Sequence, residues 1–73
     1  MKAIVYTKPM CGYCISAKNL LKNKGIEYEE RYLDNRESIQ QFITEHPTKR
    51  TMPQIWLDDE YVGGFKQLKL KLS

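Results

Sequence analysis

The sequence predicts an α/β fold of order β-α-β-α-β-β-α, in which a four-stranded mixed sheet carries helices on both faces. Two patterns and one length argument lead there. Short segments rich in β-branched and aromatic residues read as strands at Lys2–Tyr6, Ile26–Leu33, Gln54–Leu57 and Tyr61–Val62. Segments with apolar residues three and four apart read as helices at Cys14–Lys24, Asn35–Glu45 and Phe65–Leu72. A helix of about a dozen residues between the first two strands carries a crossover, which makes those strands parallel. Only a short turn separates the last two strands, which makes them an antiparallel hairpin.

Each element has its own warrant. The first strand ends before Pro9, which cannot continue a ladder. In the first helix Ala17, Leu20 and Leu21 share a face with the stem of Lys24, and Ile15 extends it. Lys22 and Lys24 suit the negative end of the helix dipole. Gly25 suits the C′ position, where a left-handed residue closes a helix. In the second strand Ile26, Tyr28 and Tyr32 face one side, and Glu27, Glu29 and Arg31 the other. Glu30 breaks this alternation, so a bulge or an exposed end is expected there. Asp34 with Glu37 three residues on forms a capping-box pattern for the second helix, whose inner face is Ile39, Phe42 and Ile43. His46–Pro53 is a loop bounded by prolines. Asp58–Glu60 and Gly63-Gly64 are turns, and Phe65, Leu68 and Leu72 line the last helix.

At 73 residues the chain is read as one domain over 1–73, small enough to need close packing. Hydrophobic residues at 41% suffice for a small core and exceed what a disordered tail carries. The formal charge of +3 fits a mildly basic surface or an anionic small partner. No arginine-rich run, zinc-finger spacing or aromatic ladder among basic residues points to nucleic acid. No secretory leader and no run of about 18 apolar residues is visible, so a membrane role is not expected and the cytoplasm is. The lysine-rich end reads as a solvated helix edge.

The only two cysteines, Cys11 and Cys14, lie in "YTKPMCGYC". Metal sites held by one chain usually need four ligands, and His46 lies far off in the loop, so no metal is expected. As a staple the pair closes a tiny loop worth about 1–2 kcal/mol. A reactive pair fits better. Cys11 falls at the start of a helix, where unpaired amides stabilise a thiolate, and Lys8 adds positive charge. Cys11 is then the outer nucleophile, and Cys14, one turn further in, the resolving thiol. A CxxC pair between strand and helix in a βαβ pattern is a redox signature.

Three segments together resemble a glutaredoxin, a small thioredoxin-superfamily protein of the compact phage and bacterial kind. They are "YTKPMCGYC", "KRTMPQIWL" (Lys49–Leu57) and "YVGGFKQL" (Tyr61–Leu68), in matching order and spacing across essentially the whole chain. The resemblance implies the thioredoxin-like fold and a monomeric, glutathione-dependent thiol–disulfide oxidoreductase. Glutathione would be cosubstrate, and protein disulfides, such as one in ribonucleotide reductase, would be substrates. It also implies roles. Pro53 would be cis, which turns the Met52 backbone toward the dithiol to pair with an extended peptide. Lys8, helped by Arg50 or Arg36, would meet the glycyl carboxylate. Gly63 and Gly64 would let the chain approach the ligand. The Phe65 and Lys66 amides would hold the γ-glutamyl carboxylate, with Tyr13 flanking the groove. Gln54 would pack the strand or support the loop.

Two departures from the family stand out. Gly12 replaces the common proline after the first cysteine; non-proline sites also occur in relatives that bridge an iron–sulfur cluster between two subunits with glutathione as co-ligand, which admits a cluster-binding dimer as an alternative. Lys66 and Gln67 stand where relatives often carry aspartate, which admits a variant electron donor reduced by thioredoxin reductase instead.

Overall fold

The computed structural model describes residues 1–73. Strands β1 (Lys2–Thr7), β2 (Glu27–Tyr32), β3 (Gln54–Leu57) and β4 (Glu60–Gly63) form one sheet in the order β2-β1-β3-β4. The helices are α1 (Gly12–Asn23), α2 (Arg36–Glu45) and α3 (Phe65–Leu72). β1 runs parallel to β2 and antiparallel to β3, and β3 is antiparallel to β4. The mixed sheet and the thioredoxin-like topology are those expected.

Period-two alternation along the central strand decides what each face buries. Ala3 and Val5 of β1 join Ile55 and Leu57 of β3, Ala17 and Leu21 of α1, and Leu68 of α3 in one core. Tyr6 and Trp56 face the other way. There Phe42 of α2 packs its ring 4.6 Å from Tyr6, and Tyr6 lies 5.5 Å from Trp56. The helices therefore do cover both faces, α1 and α3 on one and α2 on the other.

Several boundaries differ from expectation, each for a local reason. α1 begins at Gly12, two residues before the expected Cys14, because the Cys11 side chain caps it and accepts the Cys14 N–H. Gly12 and Tyr13 are exposed and carry no apolar periodicity, so the pattern hid that turn. Ile15 does not extend the core face: it is 58% exposed. The N-cap of α2 is Asn35, not Asp34. Asn35 is extended and its Oδ1 accepts the Ser38 N–H at 2.8 Å, which leaves no place for the Asp34–Glu37 box. The hairpin turn shortens to Asp58-Asp59, both at positive φ (47° and 68°), as a two-residue turn with mirror-image twist demands. β4 gains a residue at each end in consequence.

Glu30 needs neither a bulge nor a frayed end. It stays in register beside Val5, on the core-facing side of β2. Its Oε2 accepts the Thr7 hydroxyl at 2.6 Å and the Lys18 ammonium at 3.0 Å. The Thr7 hydroxyl is the largest single cause that holds the Glu30 carboxyl below its ordinary value; burial opposes it, and Lys18 acts in the same direction as Thr7.

The packing can be tested at two positions. Leu21 is fully buried, and Leu21→Ala should cost about 2–5 kcal/mol through lost contacts and a residual cavity. Urea titration should show a lower midpoint with an unchanged slope. The depressed Glu30 carboxyl gives stability that is present above the unfolded value of about 4.3 and is lost as pH falls through the folded one. Thermal melts across acidic pH should show that part of the slope in the native chain and not in Glu30→Gln.

Candidate active site

The reactive centre is built where β1 hands over to α1. Thr7 ends the strand, and Lys8-Pro9-Met10 turns the chain, with Met10 at φ 57° and its side chain fully exposed. Cys11 then sits half-buried as the α1 N-cap, and Cys14 lies one turn on at 2% exposure. The two are joined as a disulfide with Cα atoms 5.3 Å apart. The Cys14 N–H reaches the Cys11 sulfur at 3.2 Å. No acidic side chain stands in the first turn of α1, so nothing there competes with a sulfur anion for the helix's positive end. The outer and inner positions expected for the two sulfurs are those observed.

The loop before β3 faces this centre. Met52–Pro53 is cis, the isomer the resemblance implied, and the Met52 carbonyl oxygen lies 3.6 Å from the Cys11 sulfur. Gln54, 4% exposed, ties the loop to the sheet. Its Nε2 donates to the Thr51 carbonyl at 2.7 Å, and its Oε1 accepts the Tyr61 hydroxyl from β4. Burial in this contact pushes the Tyr61 hydroxyl above its ordinary pKa.

The turn into α3 closes the third side. Gly63 adopts φ 121°, and a Cβ there would come 3.0 Å from Cγ of Gln67. That side chain folds back, and its Oε1 accepts the Gly64 N–H at 3.0 Å. A Cβ on Gly64 would sit 3.6 Å from the Pro53 carbonyl oxygen, a measure of how closely the turn passes the loop.

Between these segments runs a groove of about 410 Å³. It brings together Lys8 and Tyr13 from the first segment, Arg50, Met52 and Pro53 from the second, and Gly64, Phe65 and Lys66 from the third. Tyr13 stacks on Phe65 with centroids 5.9 Å apart and forms one wall. Thr51 and Gln67 also line the groove. Sequence reasoning missed both as groove residues, though each sits inside one of the three motifs. Arg36 does not reach it: it lies on α2 beside Glu37 and Gln40, so of the two arginines named beside Lys8 only Arg50 lines the groove. No carboxylate lines the groove, and Lys8, Arg50 and Lys66 take part in none of the chain's three ion pairs. No group of three or more His, Cys, Asp or Glu side chains is gathered to hold a metal ion.

Residues 3–62 match the family model described as Glutaredoxin. The chain belongs to the glutaredoxin family. It is 35% identical over 65 residues to a glutaredoxin of Pseudomonas aeruginosa, a match that covers 89% of this chain and 77% of that one. Across the curated relatives it matches, the chain spans from 62% to 77% of their length. Among solved structures it superposes on glutaredoxin 1 from Francisella tularensis complexed with cacodylate, with a TM-score of 0.87 and 33% identity. That match covers 97% of this chain and 91% of the other. It also superposes on a buckwheat glutaredoxin–glutathione complex, with a TM-score of 0.81 and 27% identity, covering 96% and 66%. With its Cys11–Cys14 pair, this glutaredoxin is a thiol–disulfide oxidoreductase. No helix is long and apolar enough to cross a membrane.

Gly63 offers a test of the turn. An L-residue is strained at φ 121° and would also crowd Gln67. Gly63→Ala in this glutaredoxin should therefore cost about 1–3 kcal/mol in urea denaturation.

Proposed function

We propose that this glutaredoxin uses glutathione as cosubstrate to reduce protein disulfides and glutathione mixed disulfides. The observation that carries the reading is the groove beside Cys11, with three unpaired cations and no carboxylate. Glutathione has two carboxylates, one ammonium and a central thiol. Lys8 and Arg50 suit the glycyl carboxylate. The Phe65 and Lys66 amides, free at the start of α3, suit the γ-glutamyl carboxylate. The Met52 backbone suits strand-like pairing with the cysteinyl residue between them. Pro53 holds that edge, Tyr13 walls the groove, and Gly64 keeps the turn close.

In the proposed cycle the Cys11 thiolate attacks one sulfur of the substrate disulfide. A mixed disulfide forms, and the other substrate sulfur leaves as a thiolate that takes up a proton. With a protein substrate, Cys14 then attacks Cys11, the substrate thiol departs, and the Cys11–Cys14 disulfide remains. Two glutathione molecules restore the dithiol and become oxidised glutathione. With a glutathione mixed disulfide, a second glutathione can attack the Cys11 adduct directly, so Cys14 is dispensable. Residues 1–73 act as one glutaredoxin-like domain, a cytoplasmic monomer in this reading. A disulfide of a reductase such as ribonucleotide reductase is a suitable protein substrate.

One observation favours a second electron source. Lys66 lines the groove and Gln67 is engaged with Gly64, where relatives often offer an aspartate to the glutathione ammonium. A coupled assay with glutathione, glutathione reductase, NADPH and a small mixed disulfide separates the two. The native chain and Cys14→Ser should both turn over, and Cys11→Ser should fall to background. Turnover with thioredoxin reductase but none with glutathione would transfer the assignment to the second source.

A further inference from the structure

The disulfide has a second flank. Beside the groove, and sharing Lys8 with it, a cleft of about 240 Å³ is lined by both cysteines together with Lys18 and Glu30. Glu30 is the residue that broke the alternation of β2. Its side chain keeps 30% of its surface in solvent, yet partners within the protein engage one of its oxygens. Two groups do, both at Oε2: the Thr7 hydroxyl at 2.6 Å and the Lys18 ammonium at 3.0 Å. Thr7 is 1% exposed, so the anchor is fixed.

Lys18 lies four residues after Cys14 on α1. That spacing puts the two on one helix face with Cβ atoms about 5–6 Å apart. Cys14 is buried, and burial opposes formation of its thiolate. Yet the resolving attack requires that thiolate. The charged or titratable groups that line the cleft are Lys8 from the loop after β1, Lys18 from α1, and Glu30 and Tyr32 from β2. Of the two lysines, Lys18 is the one on the helix face of Cys14, and Glu30 is the cleft's sole carboxylate.

We infer that Lys18, positioned by Glu30 and Thr7, sets how readily Cys14 becomes a thiolate and hence how fast Cys14 resolves a mixed disulfide on Cys11. The inference rests on the reading of Cys14 as the resolving thiol. The step balances without another reagent. Cys14 gives its proton to solvent, and its sulfur bonds to the Cys11 sulfur. The bond between Cys11 and the substrate sulfur breaks, and the departing thiolate takes a proton from solvent. Lys18 touches no reacting atom in this scheme: it is a positioning residue that acts through charge. Glu30 has two opposed effects. It holds the ammonium in the cleft that both sulfurs line, and its own negative charge tempers the field.

The two charges should therefore move Cys14 in opposite directions. In the Cys11→Ser background Cys14 is the only thiol, and ultraviolet thiolate absorbance reads its titration. Lys18→Met should raise the midpoint by about one pH unit, Lys18→Arg should restore it, and Glu30→Gln should lower it. In the dithiol protein, a glutathione adduct preloaded on Cys11 allows single-turnover release by Cys14. Lys18→Met should slow that release about tenfold near neutral pH and shift its pH profile upward. The inference is overturned if neither substitution moves the midpoint, or if both move it the same way, as a loosened fold would. The titration needs no electron donor, so a failed glutathione assay would leave the titration result intact.

Discussion

The start of α1 has amide groups without helical partners, and the arrangement of the site follows from how they are answered. One of them, on Cys14, is met by the Cys11 sulfur at 3.2 Å. Sulfur is a weak acceptor as a thiol and a strong one as a thiolate. The cap therefore tightens in the state in which the sulfur is reactive, so helix order and sulfur charge support one another. A carboxylate cap would hold the helix as well, but it would place a second anion beside the thiolate. None is present in the first turn. The rigidity that makes this cap useful comes from below, where Ala17 and Leu21 lock α1 onto Ala3, Val5 and Leu68. The reactive sulfur thus stands on a helix end that the core cannot let move.

That dependence explains what the sequence made legible. Apolar periodicity reports burial, and burial is what orders the sheet and places α1 and α3 on one face. The strands, the parallel crossover and the hairpin were readable for that reason. The three motifs likewise predicted which side chains would gather in the groove, since each motif is a contiguous stretch whose neighbours the fold brings together. What periodicity cannot report is who caps whom. Asn35 and Asp34 are both good N-caps, and only backbone geometry chose Asn35. Exposed Gly12 and Tyr13 gave no apolar signal, so the first turn of α1 was hidden. Arg36 and Arg50 looked equivalent as cations, and the path of the loop separated them.

Glu30 shows the same limit from the other side. Read along the strand, it was a defect in a pattern. Read across the sheet, it is one corner of a contact that also holds Thr7 and Lys18, residues 23 and 12 positions away. Both distances exceed what a local pattern can encode. The Glu30 side chain is still 30% exposed, so the contact is a partly solvated one on an edge strand, assembled from residues far apart in sequence.

The two flanks of the disulfide then differ in kind. The groove side has unpaired cations over a backbone edge, an arrangement that favours anions and adds positive field beside Cys11. The cleft side adds a paired lysine and glutamate, whose charges oppose one another, to Lys8, which lines both flanks. A bare cation beside both sulfurs, as Lys8 is, stabilises thiolates and favours the dithiol over the disulfide, which makes a poorer reductant. A cation held in check by Glu30 adds less to that bias than a second bare lysine would. The physical asymmetry between a bare and a compensated charge thus gives two cysteines one turn apart different surroundings.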